Sequence, residues 1–84
     1  MPDFRVEVRV MPRATLLDPQ GQAVEHALEA LDFAGVASVR VGRTVTLTLT
    51  SGDRDEAERM ATDMCERLLA NPVTEDFSVE VSGR

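Results

Sequence analysis

The chain has 84 residues and a formal net charge of −6, with 15 acidic side chains against nine basic ones, all of them arginine. That length holds one domain with a modest core, spanning 1–84, and the acidic balance disfavours binding to phosphate backbones or anionic membranes. A single cysteine, Cys65, excludes an internal disulfide and so calls for no oxidising compartment.

The first element is a strand. Phe4, Val6, Val8 and Val10 alternate with Arg5, Glu7 and Arg9, the period of a half-buried strand. Met11-Pro12 is expected to end it, because proline cannot donate to a ladder. Asp18 then reads as a helix N-cap with Pro19 at the first helical position. Ala23, Val24, Ala27, Leu28 and Leu31 recur at helical spacing. Gly21 in the first turn disfavours the helix by about 1 kcal/mol relative to alanine. It reads either as room for a closely approaching backbone or partner, or as a residue tolerated near a fraying end.

Gly35 closes that segment. Val39 and Val41 predict a second strand, and Gly42-Arg43 a tight turn into a third. Val45, Leu47 and Leu49 alternate there with Thr44, Thr46, Thr48 and Thr50, so the two runs predict a hairpin. Asp53 and Glu56 have the spacing of a capping box, and Asp55 adds charge suited to the helix dipole. Ala57, Met60, Ala61, Met64 and Leu68 form the predicted apolar stripe. Asn71-Pro72 stops this second helix, since the residue before proline avoids helical angles. Phe77, Val79 and Val81 close the chain as a fourth strand.

This order predicts an α+β fold, the split βαβ arrangement (βαββαβ), ferredoxin-like or a close variant. Its four-stranded antiparallel sheet carries two helices on one face. The other face would present Arg5, Glu7, Arg9, Arg40, the four threonines, Ser78 and Glu80 to water or to another subunit. Alternating directions bring the loop from Arg13 to Gln20, the Gly42-Arg43 turn and the Asn71–Glu75 loop to one end. Contact residues tend to lie on loops held in this way.

Reactive constellations are missing from the sequence. His26, the one histidine, lies off the apolar stripe and has no metal-binding companion in sequence. Asp53, Asp55, Glu56 and Glu58 do not fit a calcium loop, whose sixth and twelfth positions here hold Glu58 and Met64. Cys65 reads as a small buried hydrophobe beside Met64, Leu68 and Leu69. The glycines are isolated, so no phosphate loop is expected. An RNA-binding sheet of this topology would carry aromatics on its open face, whereas Phe4 and Phe77 fall on the core phase. No Cys-x-x-Cys pair is present for metal carriage.

Two segments carry a family resemblance. One is Leu17-Asp18-Pro19-Gln20-Gly21, continuing through Ala23-Val24-Glu25-His26-Ala27-Leu28. The other is Met64-Cys65-Glu66-Arg67-Leu68-Leu69-Ala70-Asn71-Pro72-Val73, followed by Glu75-Asp76-Phe77, with Val39-Arg40-Val41-Gly42-Arg43 between them. Together they resemble the PurS family, the small subunits of phosphoribosylformylglycinamidine synthase, across nearly the whole chain. The Asp-Pro-Gln-Gly helix start and the Leu-Ala-Asn-Pro helix stop are its most specific parts.

The resemblance implies a non-catalytic subunit in purine synthesis. It would form a homodimer or tetramer, bridge a glutaminase subunit and a large synthetase subunit, and help ammonia pass between them. ATP and magnesium would belong to the large subunit and no cofactor to this chain. The glutaminase nucleophile would lie on another chain, not at Cys65. Interface candidates are Asp18, Pro19, Gln20, Gly21, Asn71 and Pro72 from the family segments, with Arg43 added from loop geometry. No nucleic acid, membrane or metal is expected, and the location would be cytoplasmic: Met-Pro-Asp-Phe-Arg at the N-terminus is not a signal peptide. A competing class is an ACT-like regulatory module binding an amino acid between subunits. An acylphosphatase-like enzyme has only Arg13 in the right loop and lacks the accompanying glycines.

Overall fold

A computed structural model describes residues 2–83. Its elements run β1 (Asp3–Pro12), α1 (Pro19–Ala30), β2 (Arg43–Thr50), α2 (Arg54–Met64) and β3 (Glu75–Gly83), with a π-helical turn over Cys65–Leu69 continuing α2. The sheet is antiparallel in the order β2-β1-β3. Register pairs Val8 with both Val45 and Val79, and Glu7 with Thr46 and Glu80. Arg5, Glu7, Arg9, the threonines, Ser78 and Glu80 thus share the outer face, as the alternation dictates.

The core gathers on the other face. Phe4, Val6, Val8 and Val10 of the central strand are buried with Leu49 and Val81. Ala57, Ala61 and Cys65 of α2 and its π turn close over them; Met64, Leu69 and Phe77 pack at the margin. Small residues along α2 let its backbone come close to the β-branched floor. Met60 of the predicted stripe is exposed, and the buried row departs from that stripe again at its end: Leu68 is 82% exposed and Leu69 is turned inward. The π turn is the reason. Ala70 donates to the Cys65 carbonyl at 3.0 Å, five residues back, and the added residue rotates the end of the helix off the 3.6 period.

Further expectations are corrected. Among the described residues the sheet has three strands, not four: Val39 and Val41 pair with no strand among them, and Gly42-Arg43 is not a hairpin turn. Their amides have other acceptors. Val41 donates to Asp18 Oδ2 at 2.8 Å and Val39 to Glu25 Oε1 at 3.3 Å. A backbone N–H held by a carboxylate is lost to a ladder. Arg40 accordingly lies outside the sheet. The order of the remaining strands is that of the split βαβ arrangement without its outermost strand.

Nor do both helices cover the sheet. α2 lies over β1 and β3, while α1 packs substantially on no strand. The radius of gyration is 16.4 Å and the extents are 52 × 27 × 14 Å, whereas a compact chain of this length has a radius of about 12 Å. α1 also ends earlier than predicted, at Ala30 rather than near Gly35. Asp32 takes φ 71 and donates to the Glu29 carbonyl, while Phe33 donates to Leu28. That is a Schellman closure with aspartate in the left-handed position.

Candidate functional site

The candidate contact residues divide between two clusters joined by residues 41–43. The first is built on the start of α1. Asp18 caps the helix as expected, accepting from Gly21 N at 3.0 Å, and Pro19 opens the first turn. The other Asp18 oxygen holds Val41. These two amides, Val41 foremost, keep the Asp18 carboxyl below the usual carboxylate range, with a smaller contribution from Arg40. Gly21 is buried, and a Cβ built there would collide with the Val39 carbonyl oxygen. Glycine therefore admits this chain's own 38–41 segment against the helix. Gln20 and Pro19 remain exposed beside it.

The second cluster lies at the sheet end. Arg43 reaches across β1 to form a paired contact with Glu75, Nη1 to Oε2 at 2.6 Å and Nη2 to Oε1 at 3.0 Å. It also donates to the Leu69 carbonyl at the end of the π turn. Glu75 Oε1 accepts from Asn71 N at 2.8 Å, and Asn71 Oδ1 accepts from Val73 N at 3.0 Å. Arg43 above all, and the Asn71 amide next, hold the Glu75 carboxyl below its ordinary range; Glu75 in turn raises the Arg43 guanidinium. Arg13 clips the same loop, donating to the Pro72 carbonyl while its amide meets Thr74 O at 3.0 Å. Pro72 itself is exposed.

Gly42 links the clusters, because a Cβ there would strike the Val10 carbonyl and the Met11 sulfur. The structure thus brings Arg43, Asn71 and Pro72 together and places Asp18, Pro19, Gln20 and Gly21 as a separate patch. Sequence reasoning missed Glu75, the hub of the second cluster, and Glu25, the second tether of the 38–41 segment. Glu75 stands shortly after the Asn-Pro stop, where an acceptor for orphaned amides is needed. That is a usable signal. Glu25 offers none, since its partner lies 14 residues away.

Neither cluster is equipped for chemistry. Every carboxylate that binds in them accepts from backbone amides or an arginine. Cys65 lies in the core, where burial and then the Glu66 charge push its thiol pKa up, away from a nucleophilic thiolate. His26 is exposed. Asp53 caps α2 through Glu56 N at 2.8 Å, and Glu56 accepts from Gly52 N at 3.0 Å, so the acidic run there serves the helix start. Among the described residues no three His, Cys, Asp or Glu side chains stand where they could hold a metal. No helix among them is long and apolar enough to cross a membrane.

Residues 5–83 match the profile of a family described as PurS, phosphoribosylformylglycinamidine (FGAM) synthase. Phosphoribosylformylglycinamidine synthase subunit PurS of Bacillus subtilis is 44% identical over 78 residues, covering 93% of this chain and 92% of that protein. A crystal structure of B. subtilis PurS superposes with a TM-score of 0.85 at 43% identity, covering 94% of this chain and 98% of that one. A chain of the PurLQS structure from Thermotoga maritima superposes at 0.89 with 29% identity, covering 98% and 100%. The Leu17–Leu28 and Met64–Phe77 segments lie inside the matched span.

Proposed function

From the premise that the chain belongs to the PurS family, we propose that it is the small subunit of phosphoribosylformylglycinamidine synthase, acting in purine biosynthesis. The observation that carries this is the near end-to-end match to PurS subunits in sequence and fold. The ACT-like ligand-binding reading gains nothing from these relatives.

The subunit works through its surface. It associates with copies of itself and joins the glutaminase and synthetase subunits, a reading supported by its likeness to a chain of the PurLQS structure from T. maritima. Bridging those partners keeps the ammonia-releasing and ammonia-consuming sites at a fixed spacing, so that ammonia passes between them. Asp18, Pro19, Gln20 and Gly21 form one contact patch and Arg43, Asn71 and Pro72 the other. Rigidity supports this use: the Arg43–Glu75 pair and the Arg13 clip fix the 71–75 loop before any partner arrives, and preorganised loops lose less entropy on binding. Pro19, Gln20 and Pro72 are exposed and meet the partners, while Gly21 acts by shaping the patch. ATP and magnesium bind on the synthetase, and the complex works in the cytoplasm.

Reconstitution tests the reading. Purified glutaminase and synthetase subunits are assayed for glutamine-dependent amidine formation with and without this chain. Activity should fall at least tenfold in its absence and return on addition. Equal turnover without it would refute the connector role.

A further inference from the structure

The last turn of α2 departs from the register its own sequence sets. Ala57, Ala61 and Met64 face the core, and unbroken α-helical spacing would bring Leu68 in behind them. Instead the Ala70 amide bonds the Cys65 carbonyl, so Leu69 takes the inward place and Leu68 stands exposed. Both residues are leucine. Either register therefore fills the same core position with the same side chain, and packing decides little between them.

The polar groups just beyond the turn do distinguish the registers. Arg43 donates to the Leu69 carbonyl and pairs with Glu75 through both terminal nitrogens. Glu75 Oε1 accepts from the Asn71 amide at 2.8 Å. Arg43 is itself placed by the sheet, where it stands opposite Val10 of β1. Relaxing the π turn to an α turn would move Leu68 into the place of Leu69. The Leu69 carbonyl and the Asn71 amide would then leave these partners, and the connection to β3 would lengthen by one residue. Single π turns within α-helices are rare and concentrate at functional sites.

We propose that Arg43 and Glu75 are positioning residues that select the π register of α2, and that this register sets where Asn71 and Pro72 stand for the partner subunits. The functional half of the proposal rests on the contact-patch reading above; the register is a property of this chain alone.

Paired leucine substitutions in the full chain read the register. With Arg43 and Glu75 intact, Leu69→Ala should lower the urea midpoint about threefold more than Leu68→Ala. In an Arg43→Met background the order should reverse, because Leu68 then fills the core. A Glu75→Ala background should reverse it too, which keeps the test open if one background folds poorly. An ion pair that only stabilised the fold would lower every midpoint and leave the order unchanged, and that result overturns the proposal. Reconstitution with the glutaminase and synthetase subunits tests the functional half. The Glu75→Ala chain should reach the same maximal glutamine-dependent activity but need about tenfold more protein for half of it, since only the minor π-register fraction binds. An unchanged requirement overturns the link between register and contact. If the wild-type chain itself proves dispensable there, the connector reading fails, whereas the leucine order, measured without partners, still decides the register.

Discussion

The two halves of this molecule hold their shape by different means. The sheet and α2 are held by burial: a row of valines on β1 is sealed under Ala57, Ala61 and Cys65. The α1 arm is held by polar tethers, with Asp18 and Glu25 accepting from the 38–41 segment while the apolar stripe stays uncovered. Burial makes a half sealed by its own apolar side chains. Tethering makes a half whose geometry is set while its hydrophobic side stays uncovered.

Three changes would break or sharpen that contrast. The largest effect belongs to the buried half. Val8→Ala removes two methyl groups beneath α2, where Val8 is fully buried, and should lower stability by about 2–3 kcal/mol, read from urea unfolding. Val24→Ala on the uncovered stripe should shift the unfolding midpoint of dilute protein far less. Equal losses would erase the distinction.

Next comes the packing that defines the arm. Gly21→Ala drives a Cβ into the Val39 carbonyl, a backbone atom that cannot rotate away, and should destabilise the arm by about 1–3 kcal/mol. Hydrogen exchange at Val39 and Val41 should quicken while the β1 amides keep their protection. Loss of protection throughout would show that the arm and sheet unfold together.

The smallest effect is electrostatic. The Asp18 and Glu75 carboxyls sit below their ordinary range, so their contributions are complete above the unfolded-state values. They fade as pH falls through the lowered folded values, below about 4. Over that interval amide protection should decline at Val41 and Gly21 in the arm and at Asn71 in the end loop. Asp18→Asn should abolish the pH dependence at Val41 and leave that at Asn71 intact.

Much of this was legible in the chain itself. The strand alternation, the Asp18-Pro19 and Asp53 helix starts and the Asn71-Pro72 stop depend on neighbours within a few residues. Most of the candidate contact residues came from motifs of the same local kind. Glu25, the Arg43–Glu75 pair and the Arg13 clip were not legible, since their partners stand 14, 32 and 59 residues away.

The Val39–Arg40–Val41 alternation shows where sequence stops deciding. It specifies a segment able to extend, and nothing in it says which acceptor takes its amides. Tertiary structure gave them to Asp18 and Glu25 instead of a fourth strand, and so swung α1 off the sheet that its apolar spacing suits. Sequence by itself determined the local elements and the alternating core, because covalent neighbours impose those conformations. Only the fold decided the arm, because an N–H has one proton to donate, and competition for it is settled between residues that the chain brings together from afar.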